Sequence, residues 1–291
     1  LFKSVIKQVS IGGQARFRAE YRDPLAYTNT AASREDDDVL LSRIRLNFGF
    51  LVTDDLNVFI QPQDQRAFGD EGTVLTDLKN LDVHQGFVEF KNILGEPLQA
   101  KIGRQELQYG DQRLVSPLDW SNIGRAWDGL KVRYTGTGWW ADAFYTVIKE
   151  GTGAEDDQDF WGLYGSSVPM ENHELDAYLF GREFNDNAFT GENGAVGDLR
   201  DFTLGARFKG KSSGFDYSVE GVFQTGKYVD DDIRAWAFAG TLGYTFDMDW
   251  KPRVGIEVTH ASGDDDPLDG DRGRFDPLFP FAHFYQGFID I

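Results

Sequence analysis

Hydrophobic and polar residues alternate along most of this chain with a period of two. From Ile11 the segment IGGQARFRAEYR sets Ile11, Gly13, Ala15, Phe17, Ala19 and Tyr21 on one face and Gln14, Arg16, Arg18, Glu20 and Arg22 on the other. A helix would repeat about every 3.6 residues, so this spacing predicts an extended strand. The segment LLSRIRLNFGFLV behaves alike, with Leu40, Ile44, Leu46, Phe48 and Phe50 opposed to Arg43, Arg45 and Asn47. Later, DFTLGARFK separates Phe202, Leu204, Ala206 and Phe208 from Thr203, Arg207 and Lys209. VGIEVTH separates Val254, Ile256 and Val258 from Glu257 and Thr259.

About fourteen such runs follow one another, near 9–22, 39–52, 55–66, 82–92, 98–108, 125–136, 138–150, 158–168, 171–184, 199–210, 213–226, 234–247, 249–262 and from about 283. Several exceed the ~5–6 residues of an ordinary soluble strand and are long enough to cross a bilayer when tilted. The connections alternate too. Short turns are predicted at Thr53-Asp54, Asn92 to Pro97, Gly136 to Gly138, Pro169 to Asn172, Gly210 to Gly214 and around Met248. Between them lie longer polar segments at 23–38, 67–81, 109–124, 151–157, 185–198, 227–233 and 263–282. Brief turns on one side and long loops on the other are what an antiparallel transmembrane β-barrel requires, whereas a β-sandwich with Greek-key crossovers has no reason to alternate. The expected fold is therefore all-β, a single barrel domain over 1–291, placed in a bacterial outer membrane amid its lipid and lipopolysaccharide.

Composition sharpens this picture. Aromatic residues make up 14% of the chain, and 33 Gly stand against 9 Pro, a balance suited to sheets with many tight turns. A formal charge of −19 excludes nucleic acid as a partner by repulsion. No apolar run approaches the roughly 20 residues of a spanning helix, a test that barrel strands never meet. Without cysteine the chain has neither disulfides nor thiolate metal ligands.

The segment IGRQELQYGDQRLVSPLDWSNIGRAWDGLKVRY, residues 102–134, resembles the alginate-export family of outer-membrane barrels. The GRQ at Gly103 to Gln105, the DWSN at Asp119 to Asn122 and the RAWDG at Arg125 to Gly129 carry the resemblance, with weaker matches in LLSRIRLNFGF, RAWAFAGTLGYTF and DPLFPFAHFYQGF. The resemblance implies an arginine-lined passage for an anionic polysaccharide and eighteen strands as in the best-known alginate exporter; long outer loops or periplasmic export partners are expected to gate the exit. Arg104 matches the family's GRQ arginine. A further arginine two positions on is Glu106 here, and a basic residue on the preceding strand is His84, departures that weaken the case for alginate itself. The chain stops at Ile291 within an expected strand and without a closing aromatic residue, so the resemblance implies a parent of about sixteen to eighteen strands, truncated here at the C-terminus.

If apolar faces meet lipid, polar faces line a lumen. The expected pore-lining set is Arg16, Arg18, Arg22, Arg43, Arg45, Asn47, Arg104, Lys131, Arg133, Arg207 and Arg253, with Glu20, Asp142, Asp176, Asp216, Glu220 and Glu257 facing them. A guanidinium stays charged at any relevant pH and offers forked donors to carboxylates. Two uses compete: guiding a polyanion, or forming cross-strand ladders with acids. Few acids lie near Arg16, Arg18, Arg43 and Arg45, which favours pore function for those four. Phe48, Phe50, Tyr134, Trp139, Tyr145, Tyr217 and Tyr244 fall towards strand ends, where rings suit a membrane interface. Trp120 and Trp127 are the candidates for stacking on sugars.

Acidic runs concentrate in the long segments: Glu35 to Asp38, Glu155 to Asp157, Asp230 to Asp232 and Asp264 to Asp266. Asp265, Asp269 and Asp276 fall at the first, fifth and twelfth positions of a calcium-loop template, the one cofactor the chain suggests. Pro267 spoils the third position and no Glu closes it, so a solvated loop is the plainer reading. The four histidines show no HExxH spacing, and GxSxG and P-loop motifs are absent, so no enzyme is expected. The expectation is a channel that passively conducts an anionic or sugar-like solute, most plausibly exporting a polysaccharide. Its rivals are a substrate-selective uptake porin for small solutes and a structural barrel that sheathes or anchors a partner protein.

Overall fold

The computed structural model describes residues 6–22, 37–69, 81–150 and 157–286. Most of the predicted long segments 23–38, 67–81 and 151–157 lie outside the described residues, as do Glu35, Asp36, Glu155 and Asp156.

The chain forms two compact units. The first comprises residues 1–91, 102–127 and 278–291, and the second 92–101 and 128–277. In the first, β1 (Gln8–Arg22), β2 (Asp37–Thr53), β3 (Leu56–Ala67) and β4 (Leu81–Phe90) pair antiparallel in chain order. The β2–β3 turn is only Asp54-Asp55, closed by the Asp55 N–H donating to Thr53 Oγ1 (3.2 Å). A register shift between Gln61 and Pro62 accommodates a proline that cannot donate to the ladder. β5 (Leu98–Gln105) straddles the division between units. It stops three residues earlier than predicted because Leu107 and Tyr109 leave the strand direction to bury themselves in the connecting segment.

In the second unit, β6 (Trp127–Gly136, its first residue assigned to the first unit), β7 (Trp139–Lys149), β8 (Gln158–Ser167), β9 (His173–Thr190), β10 (Val196–Ser212), β11 (Phe215–Tyr228), β12 (Asp231–Thr245) and β13 (Arg253–Ala261) again pair antiparallel with their chain neighbours. β14 (Asp271–Arg272) is a two-residue strand parallel to β12. Among the described residues β1 pairs only with β2, and β13 only with its chain-order neighbour β12.

Four predicted boundaries are corrected. The segments 185–198 and 227–233 shrink to the connections 191–195 and 229–230, because backbone ladders continue through polar residues whatever their side chains. The thirteenth strand starts at Arg253, after Pro252. No strand begins at 283: residues Ala282–Gln286 form the short helix α1, in which Phe284 packs against Phe281, just before the helix, and against Tyr285.

Burial along the strands is inverted relative to a protein folded in water. In β10, Asp201, Thr203 and Arg207 are 2%, 1% and 4% exposed, while the intervening Phe202 and Leu204 are 38% and 59% exposed. In β2, Arg43 is fully buried between neighbours that include the exposed Ile44 and Leu46. Leaving such a side chain in water forgoes about 1.5–3 kcal/mol each, so the exposed faces require an apolar surrounding. Exposed rings gather at the short-turn end of the second unit, where Tyr134 stacks on Trp139 (5.5 Å) and Phe215 lies against Tyr244 (4.7 Å). That is the place of an interfacial aromatic girdle.

The polar face of the second unit satisfies itself by ion pairing. Arg133 and Asp142, Arg207 and Asp176, and Arg182 and Asp201 oppose each other in register. Their shortest contacts are 2.5, 2.5 and 2.6 Å. Tyr164 Oη donates to Asp176 (2.5 Å) and Tyr178 Oη to Glu220 (2.7 Å). Arg253 reaches Asp216 (2.6 and 2.9 Å) across β12, passing over Gly243, where any Cβ would collide with the guanidinium. A buried aromatic cluster of Phe144, Phe160, Phe180, Tyr164 and Tyr178 shares this face, which simple alternation did not anticipate.

Three outcomes follow for protein reconstituted in lipid vesicles. Nitroxide labels at 202, 204 and 206 will be accessible to oxygen while labels at 201, 203 and 205 are protected, and Leu204→Arg will destabilise by about 2–4 kcal/mol in urea titration. Arg207→Met will destabilise by about 3–5 kcal/mol by stranding the buried Asp176 carboxylate; an unchanged midpoint would show that the pair is dispensable.

Candidate functional site

The first unit contains a second kind of arginine arrangement. In the β1–β2 register Arg16 directly opposes Arg43, with Arg18 and Arg45 two residues along their strands, so four guanidiniums crowd one polar face. Like charges placed opposite each other in a sheet are destabilising unless compensated. Compensation comes from residues 106–126, which fold onto this face.

This segment has its own apolar base. Leu107, Tyr109, Leu114, Val115 and Trp127 are buried, and Val115 forms a parallel bridge with Phe279. Ser116 N–H donates to Phe279 O (3.0 Å), and Phe279 and Phe281 N–H donate to Leu114 O (2.8 Å) and Gln112 O (2.9 Å). Arg125 donates to Pro280 O (3.1 Å) over the Phe279 ring, and burial pulls its pKa below the ordinary arginine value.

Beyond this base, the turn at 118–124 presents oxygen atoms to the arginines. Arg16 donates to the carbonyls of Asp119 (2.5 Å), Trp120 (3.3 Å) and Ser121 (2.8 Å). Arg18 donates to Trp120 O (2.5 Å), pairs with Glu20 (2.5 Å) and lies 4.2 Å over the Trp120 ring. Arg43 reaches Ser121 O (3.0 Å), Gln14 Oε1 (2.8 Å) and Asp119 Oδ1 (2.6 Å). Arg45 donates to Gln63 Oε1 (2.5 Å) and Ile123 O (3.2 Å) and approaches Asp119 Oδ1 at 3.3 Å. Gly124, at φ 80°, permits this approach, because a Cβ there would lie 2.7 Å from Arg45 Nη2 and 3.0 Å from His84 Cε1.

His84 and Glu106, the two departures from the family pattern, touch each other: His84 Nε2 lies 2.8 Å from Glu106 Oε1, which is 3.5 Å from Arg45 Nη1. Sequence spacing gave no hint of this pair, since it joins β4 to the residue after β5.

The other expected pore residues are dispersed. Asn47 accepts from Gln61 (2.7 Å), Arg104 lies half-buried in β5, and Arg22 ends β1, its side chain outside the described residues. Arg133, Arg207 and Arg253 belong to the ladders above, with Lys131 3.9 Å from Asp142. Trp120 keeps a half-buried ring beside Arg18. Trp127 is corrected as a sugar platform: it is 4% exposed, edge-on to Phe279, and serves the apolar base.

Asp265, Asp269 and Asp276 do not converge. Asp276 pairs with Arg182 (3.0 Å), Asp269 caps the Asp271 N–H (2.9 Å), and among the described residues no group of three His or acidic side chains is arranged for a metal. Glu192 accepts the Gly270 N–H (2.8 Å); against that bond, burial and the charges of Asp264, Asp231 and Asp269 hold its carboxyl above the usual range. Alternation and residue type located the four arginines, but not the partners that engage them. Asp119 was visible only as part of a family motif.

The sequence matches the family model described as Alginate export over residues 7–291. No curated protein matches it. Among solved structures, Salmonella typhi OmpF in complex with daunomycin is similar with a TM-score of 0.46 at 12% identity, covering 94% of this chain and 96% of that one. Pseudomonas aeruginosa OpdQ gives 0.46 at 11% identity over 90% and 84% of the two chains. Pseudomonas aeruginosa OpdK with vanillate gives 0.44 at 12% over 88% and 82%. The family match, spanning nearly every residue, carries the assignment: this chain belongs to the alginate export family of bacterial outer-membrane β-barrel channels.

Proposed function

We propose that this channel passes an anionic, polyhydroxylated solute and exports a polysaccharide along the arginine-bearing face of β1 and β2. The observation that carries this reading is the direct opposition of Arg16 and Arg43, flanked by Arg18 and Arg45, a concentration of positive charge in a chain of net charge −19. Guanidiniums hold carboxylates through paired donors, and several moderate sites in succession let a polymer enter and leave without a covalent step. The half-buried Trp120 ring adds a surface against which a sugar can slide. Translocation is passive, within a single barrel domain surrounded by lipid and lipopolysaccharide.

A second reading, uptake of a smaller and less charged solute, draws on the His84–Glu106 pair, which brings a carboxylate to 3.5 Å from Arg45 and dilutes the positive field.

Planar-bilayer recordings in asymmetric salt separate the two. Anion preference, block by added polyuronate, and several-fold loss of both on replacing Arg16, Arg18, Arg43 and Arg45 with Ala are the expected outcomes. Cation preference without polyuronate block, together with rapid entry of neutral sugars in liposome swelling, would replace export by uptake.

A further inference from the structure

At the short-turn end of the second unit lies a cleft of about 700 Å³, a size that falls within the roughly 300–1,000 Å³ of small-molecule sites. It is lined by the β8–β9 and β10–β11 turns and by Thr245 and Arg253, which flank the β12–β13 turn. Lys211 and Arg253 bring two positive charges to it, Glu171 and Asp216 two negative ones, and Ser212 and Ser213 their hydroxyls. We propose that this cleft holds the phosphoethanolamine headgroup of a phospholipid in the inner leaflet of the outer membrane, its phosphate against Lys211 and the two serines and its ammonium against Glu171.

The proposal is independent of what the channel carries and stands on three observations. First, some groups of the cleft are already engaged and others are not. Arg253 spends Nε (2.9 Å) and Nη2 (2.6 Å) on Asp216. The His173 ring is engaged at both nitrogens, Nδ1 at 2.7 Å from Glu171 O and Nε2 at 2.7 Å from Tyr217 Oη. Among the described residues the Lys211 ammonium and the Glu171 carboxylate make no hydrogen bond or ion pair, so one positive and one negative group are left for a ligand. Second, the four charged side chains cancel, which suits a zwitterion. A phosphate diester answers Lys211 and the hydroxyls, and a primary ammonium answers Glu171, whereas a purely anionic headgroup leaves Glu171 opposed to its own sign. The β10–β11 hairpin keeps Lys211, Ser212 and Ser213 together at its tip by turning through Ser213 (φ 51°) and Gly214 (φ 83°), both left-handed. Third, the surroundings are those of a membrane interface. Apolar side chains stand exposed on the neighbouring turns, Met170 at 55% and Trp250 at 78%, where water would disfavour them and a headgroup layer suits them. From the cleft, the exposed Phe215, Val219 and Phe223 follow one another along β11 as an apolar track for acyl chains, which a soluble phosphoester does not need. Short turns of an outer-membrane barrel face the periplasm, so the leaflet they meet is the inner one.

The test is native mass spectrometry of the full chain released from detergent micelles loaded with phosphatidylethanolamine, phosphatidylcholine or phosphatidylglycerol. Phosphatidylethanolamine is expected to be retained several-fold more than either of the others, since choline offers no N–H donor to Glu171 and phosphatidylglycerol no cation. Lys211→Gln should lower that retention several-fold, and Glu171→Gln should erase the preference over phosphatidylglycerol. Lys227→Gln, at the opposite end of β11, should change neither. Glu171 and Lys211 are both exposed, so the barrel is expected to fold in each variant, which circular dichroism checks. Equal retention of the three lipids, or retention indifferent to both Lys211→Gln and Glu171→Gln, would overturn the site. Stronger retention of phosphatidylglycerol by the wild type would overturn its zwitterionic character. Displacement of the lipid by an equal concentration of glycerophosphoethanolamine would overturn the lipid in favour of a soluble phosphoester.

Discussion

Every feature of this protein depends on one constraint: strands whose outward side chains are apolar must sit in an apolar medium, where neither backbone nor side-chain polar groups can turn outward to water. Backbone groups answer it with continuous antiparallel ladders. Side chains answer it by alternation, which sends Leu204 and Val219 outward and Arg207 and Glu220 to the other face. Once that division is made, the polar face holds more charge than an ordinary core tolerates, and each charge needs a partner close by.

The two units meet this demand differently. On β6–β7 and β9–β10 the charges come as opposite pairs matched in register, Arg133 with Asp142 and Arg207 with Asp176, so these strand pairs are neutralised locally. On β1 and β2 the register sets Arg16 against Arg43, and among the described residues the strand neighbours of the four arginines supply Glu20 and neutral amides such as Gln14 and Gln63. The shortfall is met by the 118–124 turn. A face that needs an anion from elsewhere in the chain is chemically distinct from one that is internally neutral, and this difference separates a candidate solute path from a structural ladder.

Glu106 and His84 qualify that distinction. Their contact places a carboxylate and an imidazole beside Arg45, at the point where Gly124 brings the turn close enough to touch both His84 and Arg45. The positive field of this site is thus moderated from within, on the flank away from Arg16 and Arg18.

Strand existence, the alternation of faces and the outward direction of residues such as Phe202 and Leu204 were legible from the sequence, because a period of two reflects local backbone geometry and the surrounding medium, both of which act residue by residue. The four arginines of β1 and β2 were legible for the same reason. What occupies them was not, since Asp119 lies some hundred positions from Arg16 and no local rule links the two. The same limit hid the His84–Glu106 contact, the burial of Trp127 against Phe279, and the aromatic cluster around Phe160, which sits on a face that alternation alone marks as polar. The helix at 282–286 replaced an expected strand because its rings pack together, and Tyr285 Oη donates to Asp111 O. Sequence by itself determined which side chains face lipid; tertiary structure alone decided which charges are matched, because ion pairing depends on register and on loop paths that bring distant residues within a few ångströms.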